Sequence, residues 1–381
     1  MKKYAILLIF VLSLSSCGGS ENIEAAQTTS ALTAVAESWT PTAANTSTPL
    51  PTATPISLQN AIQQGLFSKK GVLKTSITSD QSYQVITAVT SDGSWLVTEN
   101  GAWDLDRKKF FPRTFSTLIT YGKTWARMAV LENGDIAVIT TDSDAAVAPH
   151  SSAEKTSGKI IIQTLDMKSL NAKATQSINF EFEDSIEEMT LSPDGLVLAI
   201  GLHNGNLYLW NTSTNEQVVA FNAHKTISEF GRKFAFREIV FNHDGSLFAT
   251  SGMENIIKIW RTQDFSEVAS IQGTRPAFSP DGKYLACVYD NLQILVQPLD
   301  GVTEPFFLKG HDTRTLEMVF SNDSQLLLSV GWDNIRVWSI TDQSLIDELQ
   351  EKDGVVSIVI TPDNTKFYVS YHEGGIGIWG Q

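Results

Sequence analysis

Histidines, cysteines and carboxylates are the residues with which this chain could do chemistry, and their spacing offers little. The histidines are His150, His203, His224, His243, His311 and His372, and none stands at paired metal-ligand spacing. Cys287 lies in the apolar run Tyr284-Leu285-Ala286-Cys287-Val288, where a buried, inert thiol is expected rather than a nucleophile. Gly-x-Ser-x-Gly and His-Glu-x-x-His are absent, and Gly122-Lys123-Thr124 lacks the upstream glycine of a phosphate loop. Asp142-Ser143-Asp144 has oxygens for calcium but not the Gly and Glu of a helix-loop-helix site, so a solvated acidic loop is expected. No catalytic residue, cofactor site or metal site is therefore expected.

The charge balance excludes a further class. Lys and Arg number 28 against 42 Asp and Glu, a net charge of −14, which repels phosphate backbones, so no nucleic-acid partner is expected. One stretch runs against the trend. Lys225, Arg232, Lys233 and Arg237 are interleaved with Phe230, Phe234 and Phe236, the mixture found at contact surfaces. Lys225, Phe230, Arg232, Lys233, Phe234 and Arg237 form a candidate interaction face. The competing reading is that a phenylalanine or two plug a rim while the charges are merely solvated.

The first residues read as an address. Lys2 and Lys3 precede the apolar run Ala5–Leu14, which is too short to span a bilayer and has the layout of a secretory signal. Leu14-Ser15-Ser16-Cys17-Gly18 resembles the bacterial lipobox, which implies cleavage before Cys17 and lipidation of its sulfur. Lipidation would consume Cys17 and leave Cys287 alone, so neither a disulfide nor a cysteine zinc site is expected. Two or three acyl chains anchor stably where one is marginal. The expected location is extracytoplasmic: the outer membrane in a diderm cell, the outer face of the cell membrane in a monoderm. Residues 18–57 lack Lys and Arg, and 28–57 hold nine Thr, four Pro and four Ser, a composition that cannot pack a core. The expected organisation is a signal peptide over 1–16, a lipidated cysteine and disordered stalk over 17–57, and a folded domain over 58–381.

The chain of 381 residues is 42% hydrophobic, and its expected folded part shows no long helical periodicity. Short apolar runs are instead separated by tight-turn residues: Ser91-Asp92-Gly93, Glu132-Asn133-Gly134, Ser192-Pro193-Asp194-Gly195, Asn242-His243-Asp244-Gly245, Ser279-Pro280-Asp281-Gly282, Ser321-Asn322-Asp323-Ser324 and Thr361-Pro362-Asp363-Asn364. Their last residues are 41, 61, 50, 37, 42 and 40 apart, which reads as seven repeats. Four of them run on to a strand ending in Trp210, Trp260, Trp338 or Trp379, at 16, 16, 15 and 16 residues from the turn aspartate.

These repeats resemble the WD-repeat family, whose repeats each form a four-stranded propeller blade. The resemblance is specific over 186–379 and inferred over 58–185. It implies an all-β, seven-bladed β-propeller, and a buried network of His311, Ser329, Asp333 and Trp338 behind Gly310. Ala223-His224 is a weaker match to the same dipeptide, with Glu254 at the position related to Asp333. No blade shows a clear Trp-Asp ending: Trp103-Asp104 comes too early after its turn, and blade five replaces the tryptophan with Leu295 or Val296. Because the chain ends after the third strand of the last blade, an N-terminal strand over 71–77 is expected to close it.

The long intervals locate an insertion between the second and third strands of blade two, over 142–158, and a long connection over 222–237. Both connection types emerge on one rim, the expected binding face. Most propellers of the resembled family assemble partners, so the expected function is a non-catalytic, monomeric, lipid-anchored scaffold for an envelope or extracellular protein. The alternative is a propeller enzyme or a binder of a small anion, sugar or cofactor at the channel mouth, where Arg127, Arg237, Arg275 and Arg314 precede inner strands and would ring the opening.

Overall fold

A computed structural model describes residues 68–73, 86–90, 92–98, 101–112, 126–142, 156–166, 172–229, 232–290, 292–332, 334–351, 354–372 and 374–380. The expected signal peptide and stalk lie outside them. The described residues form seven four-stranded antiparallel sheets and one separate two-stranded hairpin. They are the seven blades of a β-propeller.

Six of the blades are meanders running outward from the channel, and the seventh takes its outer strand from the other end of the described residues. Blade three, for example, consists of Ile186–Leu191, Val197–Leu202, Asn206–Asn211 and Glu216–Asn222. Its second strand is buried at every position, whereas its outer strand is mostly exposed or half-buried. Sheets of neighbouring blades cover both faces of the second strands, so these read as continuous apolar runs rather than alternating ones. Leu326–Gly331 in blade six is likewise buried throughout.

The turns between first and second strands repeat one device. An aspartate accepts a hydrogen bond from the hydroxyl two residues before it, as in Thr90–Asp92 at 2.7 Å, Ser279–Asp281 at 2.7 Å and Thr361–Asp363 at 2.6 Å. It also accepts the backbone N–H two residues after it. Burial works against the Asp92, Asp281 and Asp363 carboxylates, but these bonds hold all three below the usual range. The next residue has left-handed backbone: glycine in Gly195, Gly245 and Gly282, and Ser324 and Asn364 where the sequence departs from glycine.

Ring closure follows the expectation with a shifted strand. Ser68–Leu73 pairs antiparallel with Ile376–Gly380 and completes blade seven. The strand thus begins three residues before the expected 71–77, and 74–77 lie outside the described residues. In blade two the insertion does separate second and third strands, Ile136–Asp142 and Thr156–Leu165. The third strand begins before Lys159 because Lys159 and Asp142 pair across the ladder and Thr156, Ser157 and Gly158 pair with the outer strand. The long connection between blades three and four folds into the separate hairpin, Ile227–Glu229 against Arg232–Phe234. Strand direction alternates within each blade, so the second-to-third loops and the blade-to-blade connections share one rim, here called the upper rim.

Candidate functional site

The positions that carry repeat tryptophans are fixed by register. Trp210, Trp260, Trp338 and Trp379 each stand opposite the second residue of the second strand: Leu198, Phe248, Leu327 and Phe367. Trp103 stands opposite Leu96, the same place in blade one, and is buried. It is a repeat tryptophan after all. A loop of only two residues between Trp95–Thr98 and Gly101–Asp104 shortens its distance from the turn. The Trp-Asp ending thus occurs in blade one, with Asp104 accepting the Arg107 backbone N–H and pairing with its guanidinium. In blade five the position opposite Leu285 is Gln297, not Leu295 or Val296. Gln297 is 16 residues past Asp281, the common spacing.

Blade four holds its tryptophan through a continuous chain of hydrogen bonds. Trp260 Nε1 donates to Thr250 Oγ1 at 2.9 Å, which lies 2.8 Å from His224 Nε2, and His224 Nδ1 is 2.8 Å from Glu254 Oε1. A carboxylate only accepts, so Nδ1 carries the proton and Nε2 accepts from the threonine. Burial lowers the His224 pKa, with Glu254 opposing, and the ring stays neutral. His224 belongs to the connection entering the blade and Glu254 to its second-to-third loop, so the network pins two upper-rim loops to the sheet. A Cβ on Gly252 would collide with both His224 and Glu254, so this position admits only glycine without rearrangement.

Of the sequence-predicted network in blade six, His311, Ser329 and Trp338 come together, and Asp333 lies outside the described residues. Trp338 Nε1 donates to Ser329 Oγ at 2.8 Å, and His311 Nε2 lies 2.7 Å from the same oxygen. The unforeseen member is Arg336, 2% exposed, whose Nη1 is 2.8 Å from His311 Nδ1 and whose Nη2 pairs with Glu348 at 3.2 Å. A guanidinium only donates, so in this contact Nδ1 accepts and the ring proton sits on Nε2, opposite to blade four. Blade seven substitutes a carboxylate. Glu351 accepts from Tyr371 Oη at 2.6 Å and Trp379 Nε1 at 3.1 Å, and pairs with Lys69 of the closing strand at 2.9 Å.

At the channel, the expected ring of arginines is instead a run of alternating charges. Arg127 lies on the inner strand of blade two and forms a two-pronged ion pair with Glu188 of blade three, both contacts at 2.9 Å. Arg237 and Arg275 are likewise on inner strands rather than before them, while Arg314 just precedes one and is exposed. Between the arginines stands Glu238, whose carboxyl burial pushes up to about 7 while Arg275 pulls against the rise. On the inner strand of blade three, Glu187 is also pushed up to about 7 by burial, opposed by the N–H groups of Phe236 and Ala235 that it accepts at 3.0 and 3.2 Å. A cavity of about 250 Å³ opens here, lined by Phe236, Arg237, Glu238, Met253, Thr274 and Arg275.

The candidate interaction face divides. Lys225 is exposed just before the hairpin, and Arg232, Lys233 and Phe234 form its second strand. Phe230 lies outside the described residues. Arg237 is not on the hairpin but lines the channel-mouth cavity. Phe236 is 2% exposed and packs edge-on against His224, so this phenylalanine does plug the rim. Cys287 is fully buried and its thiol is pushed up to about 12 by that burial, as expected of an inert cysteine. Among the described residues no group of three His, Cys, Asp or Glu could hold a metal ion.

Residues 303–339 match the family model described as WD domain, G-beta repeat. This stretch is similar to a WD repeat. It runs from the outer strand of blade five, Phe306–Lys309, through the third strand of blade six, Asn334–Ser339, one strand out of step with the blades. Residues 135–263 match a second model, KNTC1, N-terminal. The chain is similar to Periodic tryptophan protein 2 homolog of Dictyostelium discoideum, 25% identical over 210 residues, covering 52% of this chain and 22% of that protein. It is also similar to Protein hir1 of Schizosaccharomyces pombe, 31% identical over 116 residues, which cover 27% of this chain and 12% of the relative. Protein LST8 homolog of Drosophila melanogaster is 31% identical over 88 residues, 23% of this chain and 28% of that protein. The chain thus spans less than a third of the length of each of these relatives, and all three are eukaryotic.

Proposed function

We propose that this protein is a non-catalytic scaffold whose upper rim docks another protein, held at a membrane through lipid on Cys17. The observation that carries the docking role is the hairpin Ile227–Phe234, a two-stranded sheet belonging to no blade and placed where the blade-to-blade connections emerge. Arg232 and Lys233 within it and Lys225 just before it, against Glu229 alone, give this stretch a basic sequence on an acidic chain, suited to an acidic partner surface. The match to a WD repeat supports the same reading.

Crosslinked co-purification from intact cells tests it, with wild type beside a variant in which Thr226–Phe234 is replaced by a Gly-Ser loop. Ala235 and Phe236 stay, because Glu187 accepts their backbone N–H groups and both are buried. A protein captured by wild type and lost from the variant, at equal melting temperature, is the expected result. Capture by neither, or equally by both, overturns the docking role. The proposed anchor has its own test: Cys17→Ser should move the protein from the membrane fraction to the soluble one. Equal membrane association would overturn the anchor alone.

A further inference from the structure

We propose that a single proton on Glu187 locks the hairpin Ile227–Phe234 to blade three, so that the hairpin is held firmly in acidic surroundings and loosened near neutrality. The docking role enters only in naming what is regulated. The lock itself stands on the returning end of the hairpin, here called its foot. Ala235 and Phe236 follow the hairpin directly and are buried, and both donate their backbone N–H to Glu187 Oε2, at 3.2 and 3.0 Å. Phe236 also presses on Gly201, where an added Cβ would come within 2.8 Å of its ring. The foot is thus seated on blade three at the point where the chain becomes the inner strand of blade four.

Two N–H bonds occupy both lone pairs of Oε2, so a proton on this carboxyl sits on Oε1, which faces His203 Nε2 at 3.9 Å. The surroundings favour that proton. Asp184 and Glu188 add their negative charge, and Arg127 of blade two turns both prongs of its guanidinium to Glu188. His203, from the second-to-third loop of the same blade, is itself 2.9 Å from Ser185 Oγ. Across Phe236 stands His224, already paired with Glu254. Burial pushes the Glu187 carboxyl up to about 7 against the pull of the two N–H groups.

Once the foot opens, Glu187 meets water and returns to its ordinary range near 4.5. The closed form therefore keeps its proton up to about pH 7, while the open form loses it above about pH 4.5. Between these values each rise in pH favours opening. Below the window the lock is whole, and above it the contribution of the proton is gone.

Amide hydrogen exchange of the full chain at about pH 5 and about pH 7.5 reads the foot directly, as protection relative to an unstructured peptide. Ala235 and Phe236 should lose at least about tenfold in protection between the two conditions. At the higher pH they should exchange faster than Leu326–Gly331 of blade six, which marks a local opening. In Glu187→Gln, whose amide oxygen still accepts both N–H groups, the loss should shrink to less than about twofold. His203→Gln should keep it at full size. The lock is overturned by constant protection in the wild type, by an equal loss in Glu187→Gln, or by abolition of the loss in His203→Gln. A foot that opens no sooner than blade six overturns it as well. None of these outcomes bears on whether a partner is captured, which the co-purification reads by itself.

Discussion

Blades three and four carry the same tryptophan in the same register and treat it differently. Trp260 in blade four donates to Thr250, and His224 and Glu254 complete the chain. In blade three the position matching Thr250 is Ile200, and the sealed Nε1 of Trp210 has no partner. The histidine of blade three, His203, turns instead to Ser185 at 2.9 Å and lies 3.9 Å from Glu187. Packing is therefore what the indole-bearing blades share, and the hydrogen-bonded network is an addition that each of them makes or omits. Blade seven makes it with Glu351, and blade six with an arginine behind the histidine.

Breaking the complete network should have the largest effect. Thr250→Val keeps the shape but leaves Trp260 Nε1 and His224 Nε2 unpaired in a buried site, so a loss of about 2–4 kcal/mol is expected in urea unfolding. A loss no larger than that of an exposed substitution would mean the network contributes nothing beyond packing.

The two blades should also respond to pH with opposite sign. The His224 pKa lies below its unfolded value, so its contribution is present above about pH 6.5 and is lost as pH falls through the folded value. The Glu187 carboxyl, raised to about 7, gives the reverse: its contribution is present below about pH 4.5 and is lost as pH rises through about 7. Glu187→Gln, which still accepts the Ala235 and Phe236 N–H groups, should flatten the decline in stability between those values by up to a few kcal/mol. An unchanged profile in that variant would show the carboxyl to be ionised at its ordinary pKa.

A smaller effect is expected from supplying what blade three lacks. Ile200→Thr gives Trp210 Nε1 an acceptor at the loss of a methylene and a methyl, so a net change within about 1.5 kcal/mol is expected, against about 2–5 for Ile200→Ala. Equal losses in the two variants would show that the added hydroxyl fails to reach the indole. The smallest is Lys69→Ala, at about 1 kcal/mol or less, because Lys69 is a third exposed even though its partner Glu351 is not. A much larger loss would show that this ion pair, rather than the backbone ladder, closes the ring.

What the sequence disclosed divides along similar lines. Turns and tryptophans repeat locally, so seven blades, the closing strand and four of the five repeat tryptophans were legible. Trp103 was not, because a shortened loop moved it closer to its turn, and Gln297 was not, because its side chain is unlike tryptophan. The network of blade four was only half visible, since Ala223 precedes His224 where glycine was sought. Arg336, Glu351 and Lys69 had no local signal at all: Lys69 and Glu351 are 282 residues apart in sequence and meet only once the ring closes. The channel mouth was read as four arginines, because Glu188 meets Arg127 only across two blades, 61 residues apart in sequence, and Glu238 beside Arg237 carries no repeat signal of its own.

The direction of the closing strand has a mechanical consequence. Ser68 pairs with Gly380 and Leu73 with Ile376, so the chain enters blade seven at the lower rim and climbs toward the upper one. Anything that holds the protein through the residues before Ser68 therefore grips the rim opposite the hairpin Ile227–Phe234. A pull from that side runs along the strand axis and loads its five register pairs in shear, all together, instead of unzipping them one at a time.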